Sequence, residues 1–155
     1  AVGTRIFFAP SNQPDVGVLD TTTDVFSTIS TVAAGLTAAS KYSGAAAVGT
    51  RVFFAPLGEV NVGVLDTTTD VFSTISTAVA GVTADFKYSG AAAVGTRIFF
   101  APFNQDNVGV LDLPPLPPAL PPPLSPLPPL LPPSSPPPPL PPPPSPPPNA
   151  TATTG

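Results

Sequence analysis

Apolar and polar positions along this chain alternate in short bursts, never in helical turns. "KYSGAAAVG" (residues 41–49) runs into "TRVFFAP" (50–56), then "NVGVLD" (61–66) and, after "TTTD", "VFSTIST" (71–77). In the third stretch Val62, Val64 and Asp66 share one side of an extended chain and Leu65 takes the other. In the fourth, β-branched residues are interleaved with serines and threonines. No window carries an apolar period of 3.6, so the pattern predicts four short strands and no helix. Gly49-Thr50 predicts a two-residue hairpin turn with positive φ at the glycine. "TTTD", bracketed by Asp66 and Asp70, predicts a turn capped by aspartate.

The pattern recurs. "AVGTR" begins at Ala1, Ala47 and Ala93, so Arg5, Arg51 and Arg97 stand 46 residues apart. Lys41 and Lys87 keep the same spacing, which places every basic residue in the repeat. Four antiparallel strands in a period of 40–50 residues predict a blade of a β-propeller. The strand chemistry agrees with that expectation. "SGAAAVG" offers small side chains for a crowded inner strand, "VFF" or "IFF" is apolar on both faces, and the rim strand is the most polar. The expected fold is all-β: an incomplete propeller over residues 1–112, followed by a disordered polyproline II tail over 113–155.

The run "KYSGAAAVGTRVFFAP…VGVLDTTTDVF" resembles the kelch repeat, with Leu65-Asp66 and Phe72 at matching positions. Two departures stand out: Ala55-Pro56 replaces the glycine pair that ends the kelch second strand, and Leu65 replaces the aromatic beside Asp66. Other propellers, such as the YVTN-type seven-bladed repeats, share the general pattern. The resemblance covers residues 1–112 and implies a binding scaffold more often than an enzyme.

Residues 1–44 differ from 47–90 at 11 positions. Five differences fall in Ser11 to Asp15 against Leu57 to Asn61, and five in Val32 to Ser40 against Ala78 to Phe86. Strands of a blade alternate in direction, so both segments are loops of one face. Loops on a rigid scaffold are where binding residues concentrate. The expected binding residues are therefore Ser11, Asn12, Gln13, Leu57, Glu59, Asn61, Asp85, Phe86, Phe103, Asn104 and Gln105. The plainer alternative is that loops drift freely after duplication.

Composition narrows the chemistry. The chain has no His, Cys, Met or Trp, which leaves no Ser/His/Asp or Cys/His catalytic set and none of the commonest zinc ligands. Five basic residues without a cluster argue against nucleic acid as a partner. No apolar run reaches the length of a membrane span. Asp20 with Asp24, and Asp66 with Asp70, offer carboxylates beside threonine hydroxyls. They lack further oxygen ligands at fixed spacing, so turn capping is the expected role, not Ca²⁺ binding. The arginines are expected at exposed strand positions, with an anion-holding ring as the alternative, and Tyr42 and Tyr88 as packing residues. Neither an enzyme nor a cofactor is expected. A propeller-type hydrolase would need a metal or paired acids; Glu59 and Asp85 are acids that depart from their repeat equivalents.

From Leu113 to Pro148 lie 23 of the 27 prolines and no charge. Without an amide hydrogen and with φ fixed, this tract is expected to run as polyproline II over about 110 Å. Leu140, Pro141, Pro142, Pro143 and Pro144 match ligands of polyproline-binding domains with aromatic grooves. The Ser-Pro runs resemble extensin-like, hydroxyproline-rich wall glycoproteins, which implies a structural rod at the cell surface. Asn149 opens an N-glycosylation sequon, favouring an extracellular over a cytoplasmic location.

The repeat stops at Asp112 in mid-phrase, which points to a fragment, a mis-joined gene prediction or recombination within a repeat array. Phe7, Phe8, Phe99 and Phe100 are expected to lack cover, and self-association through open blades is expected to follow. The function expected overall is a non-enzymatic scaffold binding a protein or glycan. A hydroxyproline-rich surface glycoprotein is the alternative.

Overall fold

The computed structural model describes residues 1–36, 38–77, 80–82, 84–115 and 139–142. The chain divides into two units, Ala1–Pro118 and Ala119–Gly155. In the second, Pro139, Leu140, Pro141 and Pro142 are exposed and have no regular secondary structure. Pro143, Pro144 and Asn149 lie outside the described residues, as does most of the proline tract.

The first unit is all-β. Its strands are β1 (Arg5–Phe8), β2 (Val16–Asp20), β3 (Val25–Ile29), β4 (Tyr42–Val48), β5 (Arg51–Pro56), β6 (Val62–Asp66), β7 (Val71–Ile75), β8 (Tyr88–Val94), β9 (Arg97–Pro102) and β10 (Gly109–Asp112). Helix among the described residues amounts to a three-residue 3-10 turn at Val32–Ala34 and a 3-10 residue at Ala80. Among the described residues, no helix is long and apolar enough to cross a membrane.

The strands form three antiparallel sheets in the orders β1-β2-β3, β4-β5-β6-β7 and β8-β9-β10. One 46-residue repeat thus makes one meander, complete in the middle sheet. Each tight turn follows from its residues. Gly49 adopts φ 59° between the paired Val48 and Arg51, a conformation that a side chain would strain. At "TTTD" the left-handed position falls to Asp70 (φ 54°) and its equivalent Asp24 (φ 55°), aspartate being among the few side chains that tolerate it. In each sheet the residue after the strand that ends in aspartate is tied to the Gly-Thr turn. Thr21, Thr67 and Leu113 donate their amides to the carbonyls of Thr4, Thr50 and Thr96 at 2.8–2.9 Å. Leu113, first residue of the proline tract, therefore still serves the third sheet, and its side chain packs on the core.

The sheets pack face to face. Phe7, Val16 and Val18 of the first sheet meet Val52, Phe54, Leu65 and Phe72 of the second. On the opposite side, Phe53, Val62 and Val64 meet Ile98 and Phe100 of the third. The middle strand β5 is therefore buried on both faces, with Phe53 and Phe54 each fully covered. Such a strand reads as a continuous apolar run, as "VFFAP" does. At the inner edge β4 lies against β8, and Ser43 donates its hydroxyl to the Ser89 carbonyl at 3.2 Å.

The four phenylalanines expected to lack cover divide. Phe7 and Phe100 point into the stack and are 8% and 3% exposed, whereas Phe8 points outward and is 46% exposed. Phe99 is half-buried, with the Arg97 guanidinium 5.2 Å from its ring centre. Alternation along the strand is the reason: of two adjacent aromatics, only one can face the neighbouring sheet.

Each sheet also holds an aromatic slot over a glycine. In the middle sheet Tyr42, Phe54 and Phe72 pack around Gly63, with ring centres 5.8–6.1 Å apart. A Cβ at position 63 would fall 2.8 Å from Phe72 Cζ and 2.9 Å from Tyr42 Cζ, so only glycine fits. Gly17 and Gly109 repeat the arrangement with Phe8 and Phe26, and with Tyr88.

Candidate functional site

The variable loops emerge at one end of the sheets and are joined by hydrogen bonds into a continuous belt. Ser11 accepts at its carbonyl from the Lys41 amide (3.1 Å), and Asn12 accepts at Oδ1 from the Ser40 amide (2.9 Å). On the other side of the same segment, Leu57 and Glu59 donate their amides to the Lys41 carbonyl, and Gly58 donates to that of Ser40. Glu59 Oε1 accepts from the Ala38 amide at 3.2 Å. The Leu57 carbonyl then accepts from the Lys87 amide, Phe103 donates to the Lys87 carbonyl, and Asn104 donates to that of Phe86. Asn104 Nδ2 closes on the Asp85 carbonyl at 3.1 Å.

The fold thus brings together Ser11, Asn12, Leu57, Glu59, Asp85, Phe86, Phe103 and Asn104. Gln13 lies apart from the belt, lining a hollow with Phe8, Gly17 and Phe26. Asn61 is half-buried just ahead of β6. Gln105 lines a cavity of about 220 Å³ between the second and third sheets, with Tyr88, Phe100 and Gly109. Its Oε1 is buried there without a hydrogen-bond partner. This cavity occupies the place over Gly109 that corresponds to the Phe72 ring over Gly63.

Phe86 and Phe103 stand out on the belt, 44% and 64% exposed. Phe86 holds φ 51°, as does its repeat equivalent Ser40. A left-handed aromatic is a strained choice, and such strain is kept only where surrounding contacts fix it. Here the Asn104 amide and the neighbouring Lys87 hold both sides of the segment.

Lys41 and Lys87, markers of the repeat in the sequence, are buried beneath the belt, 5% and 2% exposed. Their ammonium groups donate to the carbonyls of Ala38 and Leu57, each at 3.4 Å. A long aliphatic stem ending in three donors suits a loop layer rich in carbonyls. Burial pushes the Lys87 ammonium below its usual pKa of 10.5, against the opposing pull of Asp85 and Glu59. Between that lowered value and 10.5, the unfolded chain holds a proton that the folded chain has released. Stability should therefore rise with pH across that window and stop rising above 10.5. Lys87→Met should remove the rise. Urea midpoints of both proteins through the alkaline range check this, the difference between them cancelling the tyrosine titrations; identical pH profiles would refute it.

At the opposite end, Asp20 and Asp66 each accept at Oδ1 from the amide and hydroxyl of the threonine two residues on, at 2.6–2.9 Å. These bonds hold both carboxyls below the usual 3.8. Asp70 is ion-paired with Arg5 at 2.8 Å and Asp112 with Arg97 at 2.6 Å. Among the described residues, no three acidic side chains gather into a metal site.

No family model matches this chain, and no curated protein matches it.

Proposed function

We propose that the three sheets are consecutive blades of a kelch-like β-propeller and that the belt of loops is a binding surface for a protein or glycan. The chain is then a non-enzymatic scaffold. The observation that carries this reading is the belt itself. Ten of the eleven differences between the first two repeats fall in its loops, and hydrogen bonds join those loops into one surface bearing the exposed rings of Phe86 and Phe103. Aromatic groups held rigidly in a polar setting are what interface hot spots are made of, and they stack equally well on sugar rings. The proline-rich tail, with Leu140 92% exposed, adds a second ligand type for polyproline-binding domains.

The 155-residue chain can be probed on a glycan array and against a displayed peptide library. Hits should lose about tenfold or more in affinity when Phe86 and Phe103 are both changed to Ser. They should be unaffected by Thr22→Ala at the opposite end. Binding that ignores the double change, or no binding in either screen, would sink the reading.

A further inference from the structure

Both contacts between consecutive sheets use the same pair of faces, and each of those faces appears once more, uncovered, at an end of the stack. The outer face of the first sheet carries Phe8 and Phe26, 46% and 61% exposed; their equivalents Phe54 and Phe72, inside the stack, are 0% and 6% exposed. The outer face of the third sheet carries Val108 and Val110, 53% and 48% exposed, against 3% and 6% for Val62 and Val64. Over the strands that the two open ends share with the middle sheet, the faces are therefore complementary in shape, because the equivalent strands already fit together within the chain; the first sheet has no counterpart of β4 and the third none of β7.

We propose that a second copy of this chain stacks its first sheet on the third sheet of the first copy, in the register that joins consecutive sheets within the chain. A polar contact fixes that register. Arg5 reaches from the first sheet to the second, donating to the Thr67 carbonyl at 3.2 Å and to Asp70 at 2.8 Å. Those partners lie 62 and 65 residues ahead. Counting the same steps from Arg97 through three 46-residue repeats leads to Thr21 and Asp24 of the next copy. Arg97 now closes on Asp112 of its own hairpin, half exposed, and stands at the rim of the open face. In the assembly it would turn to Asp24, as Arg5 turns to Asp70.

The contact is head-to-tail, so copies join into a ring if the rotations close and into an extending chain if they do not. Two copies bring six sheets, within the range in which blades close a propeller. The surface involved is distinct from the belt of loops, and the inference does not depend on what the belt binds.

Sedimentation velocity of the 155-residue chain over a wide concentration range should show a mass that grows with concentration. Phe26→Asp blocks one face and Val110→Asp the other, so each variant alone should remain monomeric. Mixed together they should form a 1:1 complex and nothing larger, since one intact face of each kind remains. Association of either variant alone at the wild-type level, or no complex in the mixture, would overturn the proposal, as would a wild-type monomer at every concentration. If circular dichroism shows that either variant has lost its strands, a cycle of Arg97→Gln and Asp24→Asn decides. Each change should weaken association about two- to fivefold, with the double variant no weaker than the worse single. Fully additive losses would overturn the register.

Discussion

Phe54→Ala should lower stability by about 3–5 kcal/mol, the usual range for removing a fully buried phenylalanine. The ring has no exposed surface and lies within about 6 Å of the rings of Tyr42 and Phe72. Alanine would leave a hole between the first and second sheets, where the ring packs in one cluster with Phe7, Val16 and Val18. Domains are held by about 5–15 kcal/mol in total, so one such loss is a large part of the whole. Phe8→Ala supplies the internal control. Phe8 occupies the same place in the repeat and pairs with Phe26 at 6.3 Å, yet it faces outward. At concentrations too low for association its removal should cost about 1 kcal/mol or less. Urea unfolding followed by far-ultraviolet circular dichroism measures both. Equal losses from the two changes would mean that the face-to-face stack is not what holds the protein together.

The contrast between Phe54 and Phe8 shows where sequence reading succeeds and where it stops. Strand positions were legible because alternation and turn chemistry are local. "VFFAP" reads as a strand buried on both faces, and β5 is one. The faces were harder, since "IFF" and "VFF" look alike in all three copies. Which ring is covered depends on whether a neighbouring sheet exists on that side, and that is a property of the array. The same limit explains Lys41 and Lys87. Their 46-residue spacing was plain, but burial of a lysine beneath loop carbonyls is a tertiary arrangement with no local signature. Asp70 hid its left-handed backbone in a turn without glycine, although aspartate at that position was the available clue. The belt of loops was legible as a location, because strand direction alone puts alternate loops on one face. Its hydrogen-bonded continuity was not, since it rests on backbone carbonyls that any residue supplies.

The inner edge of the stack gives the second large effect: Gly44→Val should destabilise by about 2–6 kcal/mol, from backbone strain and overpacking together. Gly44 has φ +84°, where a β-branched side chain is strongly disfavoured. It also sits where β4 passes β8, and a Cβ there would fall 2.9 Å from Gly90 Cα and 3.5 Å from the Ser89 carbonyl oxygen. Backbone atoms in a paired strand have nowhere to yield, so the two sheets would have to part at the Ser43–Ser89 hydrogen bond. That parting would propagate to the cluster around Phe53, Ile98 and Phe100, which the closeness of β4 and β8 holds shut. Gly90 is the repeat equivalent and predicts the opposite. Its backbone is outside the left-handed region, and a Cβ would meet nothing within 4 Å. Gly90→Ala should therefore change stability by less than about 1 kcal/mol. Hydrogen exchange can follow the two variants at the level of single strands. For Gly44→Val the loss of protection should be greatest in β4 and β8 and smaller in β2 and β3, which lie on the far side of the middle sheet. If Gly44→Val is tolerated as well as Gly90→Ala, then β4 and β8 are not in close contact in solution, and the stacking of the second and third sheets loses its support.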